Sequence, residues 1–134
     1  NTFLNKYLIS DKDKLIRIFN IYKKDISKLN EMINIAGIYF SDNILISKEN
    51  NFQNEFNNCF NDFLILINNI NNWEYDLINL EIKEFLKKNN IKFPVLGKPI
   101  RYLLTNNYNG PSITEIFMIL GKKQSLERLN KYKI

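Results

Sequence analysis

Gly97-Lys98-Pro99-Ile100-Arg101-Tyr102-Leu103-Leu104-Thr105 runs into Asn109-Gly110-Pro111-Ser112-Ile113 and then Ile119-Leu120-Gly121-Lys122. This stretch decides the fold. Pro94, Gly97 and Pro99 predict a chain broken into short helical pieces, with Pro99 in a first helical turn, where its missing N–H costs nothing. Arg101 follows just inside that turn. Gly110-Pro111 reads as a tight turn, and Ser112 with Glu115 has the spacing of a capping box, in which each side chain satisfies the other's backbone N–H. Gly121 suits the left-handed position that ends a helix after Leu120, and a last helix is expected over roughly 123–131 with Leu126 and Leu129 facing in. The whole reads as a rigid platform holding one guanidinium and an apolar contact toward a ligand.

Working back toward the N-terminus, the helical pattern continues. Phe52, Phe56, Cys59, Phe60 and Phe63 recur at helical spacing, which is what one helix needs to bury an aromatic stripe. A flavin or base platform is the other reading of that stripe. Trp73 is expected to open a further helix with Leu77, Leu80 and Ile82 to Phe85 on its buried side. Its end at Lys87-Lys88-Asn89-Asn90 puts cations at the negative helix terminus and an Asn where a left-handed cap is wanted. Ser10 is expected to cap a helix carrying Leu15, Ile18, Phe19 and Tyr22, and Ser27 one carrying Leu29, Met32, Ile33 and Ala36. The expected fold is all-α, a helical bundle in two small lobes, 1–47 and 48–134.

Composition narrows the function. The chain has no histidine, and so lacks the commonest general base and zinc ligand. It has neither a P-loop nor a G-x-G-x-x-G segment. No catalytic residue and no metal site are expected. The single Cys59 cannot form a disulfide within the chain and, set among phenylalanines, reads as a small buried hydrophobe. No apolar run reaches eighteen residues and no charged-then-apolar leader opens the chain, so a protein off the membrane and without its own export signal is expected. Charge is unevenly spread: residues 83–134 carry +8 and residues 1–82 carry −3, within a net +5. A basic terminal third suits a polyanion; it equally suits a solvated lysine surface.

The C-terminal run resembles the anticodon-binding domain of bacterial-type glutamyl-tRNA synthetases, class I enzymes with a Pro-Leu-Arg segment, a Thr-Gly turn, a Pro before an apolar helix and a Leu-Gly-Lys close. Further matches are Phe3-Leu4-Asn5-Lys6-Tyr7-Leu8, Leu29 to Phe40, and Trp73 ahead of the last long helix. The resemblance covers most of the chain, but only the C-terminal run is specific. It implies a part of a glutamate–tRNA ligase that grips the anticodon arm, with the catalytic domain N-terminal to it. ATP and Mg²⁺ would serve that catalytic part, and no cofactor is expected here. Glutamate tRNA is the implied partner, glutamine tRNA a second. The implied state is a monomer in the cytoplasm or an organelle of bacterial origin.

Carried over residue by residue, Arg101 matches the arginine that hydrogen-bonds an anticodon base. Ile113 matches a leucine packed on a splayed base, and Gly110 and Pro111 match the turn beside it. Each has a plainer reading: Arg101 could cap a carbonyl or pair with Glu115, and Ile113 could join Ile116, Phe117 and Leu120 in a core face. Lys98, Lys122 and Lys123 are candidate phosphate contacts or solvated lysines. Two departures stand out. Asn106 replaces the usual Gly, and Asn tolerates positive φ; Asp25, or Lys24 if the alignment slips by one, replaces an arginine near the wobble base. Two other readings compete: a helical protein-interaction module, and a helix-turn-helix DNA binder built on 113–120 and the last helix.

Overall fold

Asp11 starts the first helix, its carboxylate accepting the Lys14 N–H at 3.0 Å, a side-chain cap on an otherwise orphaned donor. The structure is a computed structural model describing residues 11–41 and 52–132. Among these are six helices and no strand: α1 Lys12–Tyr22, α2 Leu29–Phe40, α3 Asn54–Asn68, α4 Tyr75–Lys88, α5 Phe93–Thr105 and α6 Ile113–Asn130. The fold is all-α. The chain divides into two compact units, Asn1–Ile44 and Leu45–Ile134. Both this division and the 47/48 boundary expected from sequence fall outside the described residues.

In the first unit α1 packs on α2 through Leu15, Ile18, Met32, Ala36 and Tyr39, all buried. The hydroxyls of Tyr22 and Tyr39 hydrogen-bond at 2.6 Å. Ser10 lies outside the described residues. Ser27 does not cap α2: Lys28 takes that position without a side-chain bond, and the Ser27 N–H donates to Glu31 instead. Phe19 and Leu29, expected inside, are exposed.

In the second unit α6 packs against α3, α4 and α5, and α3 also against α4 and α5. The stripe on α3 is core: Phe52, Phe56, Cys59, Phe60 and Phe63 are buried, with Phe52, Phe56 and Phe60 gathered around Tyr132. That settles the stripe as packing, since its rings are spent on one another. Trp73 precedes α4 instead of opening it; the indole N–H donates to the Phe117 carbonyl at 2.9 Å and the ring sits edge-on to Phe117. The buried face of α4 is Ile78, Ile82 and Phe85, while Leu80 is exposed, because the stripe runs one residue off the expected register. Asn90 is left-handed at φ 51°, as the C-terminal Asn pair suggested.

The largest correction concerns α5. It is one unbroken helix of 13 residues, begun by Pro94 in its first turn, with Pro99 in its interior. An interior proline forfeits a hydrogen bond and costs roughly 3 kcal/mol. Leu96, Ile100, Leu103 and Leu104 are fully buried along the helix, each contributing about 1.5–3 kcal/mol, so packing outweighs the defect. Gly97 carries the Phe93 ring: a Cβ there would meet its Cε1 at 2.6 Å. The capping box is present in both halves, Glu115 N–H to Ser112 Oγ and Ser112 N–H to Glu115 Oε1, each at 3.2 Å. Gly121 leaves helical geometry (φ 78°, ψ 167°) and divides α6 in two, as its place after Leu120 suggested.

Candidate nucleic-acid interface

The end of α5 and the loop after it form one braced structure. Asn106 adopts the left-handed conformation, φ 59° and ψ 27°, and its N–H donates to the Tyr102 carbonyl at 2.7 Å. The substitution of Asn for Gly therefore keeps the turn, as a side chain that tolerates positive φ should. Asn107 extends its amide oxygen to the Asn109 N–H at 3.0 Å, a side-chain turn. Gly110 follows at φ 146°, a conformation L side chains rarely adopt.

Arg101 holds this loop from the helix. Its Nε donates to the Pro111 carbonyl at 2.8 Å and its Nη1 to the Tyr108 carbonyl at 3.0 Å. A planar fork of five donors suits two acceptors at once, which a single ammonium cannot match. Of the plainer readings, carbonyl capping is the one seen; Glu115 is engaged by Ser112. Two of the five N–H groups are spent on those carbonyls. Arg101 stays half-buried, and its Nη2 makes no hydrogen bond to the described residues. One side of the guanidinium is thus a brace and the other is available.

Arg101, Gly110 and Pro111 come together here. Lys98 lies on α5 one turn before Arg101, exposed, and lines a surface pocket of about 390 Å³ with Phe52, Gln53, Pro94, Val95, Pro99 and Tyr108. Ile113 is 1% exposed and lies in the core with Ile116, Phe117 and Leu120. So covered, it offers no surface for a base to pack on in this conformation; the core-face reading is what the geometry gives. Lys122 is also drawn inward, its ammonium donating to the Ile70 carbonyl at 2.7 Å. Lys123 is exposed on the second half of α6. Lys24 and Asp25 are exposed in the turn that ends α1, in the other unit, with the Asp25 N–H bonded to the Tyr22 carbonyl.

Two residues escaped the sequence reading. Tyr108 stacks on Tyr102, ring centroids 4.5 Å apart at 26°, yet is 39% exposed. Arg128 is 2% exposed and its Nη1 donates to the Leu104 carbonyl at 2.6 Å, tying α6 to the end of α5. Its signal was positional: Arg128 shares a helix face with Ser125 and Leu129, both buried. Among the described residues no cluster of three or more His, Cys, Asp or Glu could hold a metal, and no helix is long and apolar enough to cross a membrane.

A basic helix end, a braced loop and exposed aromatic surface match what comparison with known proteins finds. A family model described as an anticodon binding domain matches residues 2–133. The chain belongs to the anticodon-binding domain family. This anticodon-binding domain is 29% identical over 132 residues to a glutamate–tRNA ligase of Mycoplasma mycoides subsp. mycoides, covering 94% of the chain and 27% of that protein. It is 24% identical over 126 residues to one of Nitrosomonas eutropha, covering 92% and 27%. With a glutamate–tRNA ligase of Finegoldia magna it shares 26% over 140 residues, covering 97% and 29%. The domain spans a little over a quarter of the length of these relatives.

Proposed function

We propose that this domain grips the anticodon arm of a tRNA as the C-terminal part of a glutamate–tRNA ligase, selecting glutamate tRNA, and possible glutamine tRNA, for aminoacylation by a catalytic domain N-terminal to it. The observation that carries the reading is the Arg101 fork: two donors brace the 106–111 loop and the remaining ones are left for a ligand. Held against two carbonyls, the guanidinium has lost much of its rotamer freedom before binding, so little entropy is left to spend on a base edge. A bidentate contact of this type is worth roughly 1–3 kcal/mol of base discrimination, by analogy with major-groove readout. Gly110 and Pro111 bring backbone near the RNA, and Ile113 anchors the loop from inside. Lys98 and Lys123 are placed for phosphate, which positions without reading sequence. For Lys122 the bond to Ile70 favours a structural role.

Lys24 and Asp25 are proposed to lie near the wobble base. An acidic side chain beside phosphates is unfavourable there, so wobble discrimination in this protein would differ from relatives with an arginine at that position. ATP and Mg²⁺, the expected cofactors of the catalytic part, find no donor set among the described residues, and no chemical step is assigned to them here.

The test is a binding titration of the chain against glutamate tRNA, the same tRNA with one anticodon base changed, and Arg101→Ala protein. Wild type is expected to lose at least about 1 kcal/mol with the changed base, and Arg101→Ala to lose that preference. Indifference to the anticodon in both proteins would leave a shared fold without shared readout.

A further inference from the structure

Beside the Arg101 loop, the pocket under Tyr108 has no part in the reading above. Its walls are two prolines, a valine and two aromatic rings; its polar groups are the amide of Gln53 and the ammonium of Lys98. About 390 Å³ lies at the small end of the roughly 300–1,000 Å³ range of small-ligand sites, room for one ring system and not for a folded element. Tyr108 is fixed from both directions. One ring face lies on Tyr102, which itself packs edge-on to Phe52, and its carbonyl is held by Arg101. The exposed remainder of the ring fronts the pocket.

An aromatic ring held rigid yet left open, next to a cation, is the arrangement that single-stranded nucleic acid needs. An unstacked base finds a π-face there, and its phosphate finds a charge. Burial raises the Tyr108 phenol above its ordinary range, with the neighbouring Tyr102 and Tyr132 adding to the effect. At neutral pH the hydroxyl therefore remains a neutral donor and does not repel phosphate. The surrounding third of the chain, at +8, favours a polyanion over an acidic-poor apolar peptide.

We propose that Tyr108 is a stacking platform for one unpaired RNA base, seated in the Phe52–Pro94–Tyr108 pocket with its backbone phosphate on Lys98. It binds by stacking, without regard to base identity, while Arg101 reads identity next to it. The proposal rests on the anticodon-arm reading.

The experiment uses glutamate tRNA carrying the fluorescent base 2-aminopurine, placed in turn at each position of the anticodon loop. Wild type and Tyr108→Phe are expected to quench one such position on binding, since both supply a ring. Tyr108→Leu, which fills the space without a π-face, is expected to abolish that quench and to weaken affinity by roughly fivefold or more. Because Tyr108 is exposed, its variants should keep wild-type helicity, checked by circular dichroism. If anticodon preference through Arg101 persists while no position responds to residue 108, the platform is wrong and the anticodon reading stands. If no tRNA binds, both fall.

Discussion

Arg101 was legible as a functional residue from its flanking pattern, but its geometry was not: no sequence rule says that its fork closes on the carbonyls of Tyr108 and Pro111. This predicts that Arg101→Lys, though it keeps the charge, loses about 1–2 kcal/mol of stability in chemical denaturation, since one ammonium cannot bridge both acceptors. Tyr108 and Arg128 were illegible for a shared reason. Whether a single tyrosine or arginine faces in or out depends on partners far along the chain, and local pattern carries that only when the residue falls on an apolar face. Cys59 illustrates the legible case. Burial raises its thiol above the ordinary range, with Glu55 and Asp62 adding their negative charge against a smaller lowering from its backbone hydrogen bond. The folded protein holds the proton more tightly than the unfolded chain. The thiol's contribution to stability is thus complete below the ordinary thiol range, near about 8.5, and is lost as pH rises through it toward the folded value. Alkylation of Cys59 at neutral pH should be negligible until denaturant is added.

At the scale of the element, start and stop signals were read well where a specific hydrogen bond enforces them. The Ser112–Glu115 box, the left-handed Asn90 and Asn106 and the break at Gly121 all stand where side-chain chemistry put them. Proline misled. Pro99 reads as a helix start because the local rule counts the lost N–H and cannot weigh four buried side chains on the same helix. Leu80 misled in the other direction: with apolar residues at 77, 78, 80 and 82, two helical faces are available, and only the partner helix chooses. Gly121 supports a sharp expectation. Nothing lies within 4 Å of where its Cβ would be, so Gly121→Ala meets no clash and its cost is purely conformational. At φ 78° that cost should be about 1–2 kcal/mol by thermal or chemical unfolding; an unchanged midpoint would mean the break relaxes on substitution.

Over the whole molecule, the sequence gave away its class through what it lacks, histidine and phosphate loops, and through a charge imbalance that only a basic face can use. The imbalance sets a measurable quantity. Log affinity for tRNA should fall linearly with log salt, with a slope of about −0.7 for each single-stranded phosphate neutralised, and Lys98→Ala should flatten it by about one such step. The division into two units was foreseen to within a few residues of where contacts separate them, yet one fact about that division came only with the structure. Trp73 is the chain's one tryptophan and belongs to the second unit, with its indole locked onto Phe117 just before the Gly121 break. The protein therefore carries a built-in optical probe that sees the second unit and is blind to the first. Emission excited at the red edge, where tyrosine is silent, tracks the loss of that lock, while circular dichroism sums the helices of both halves.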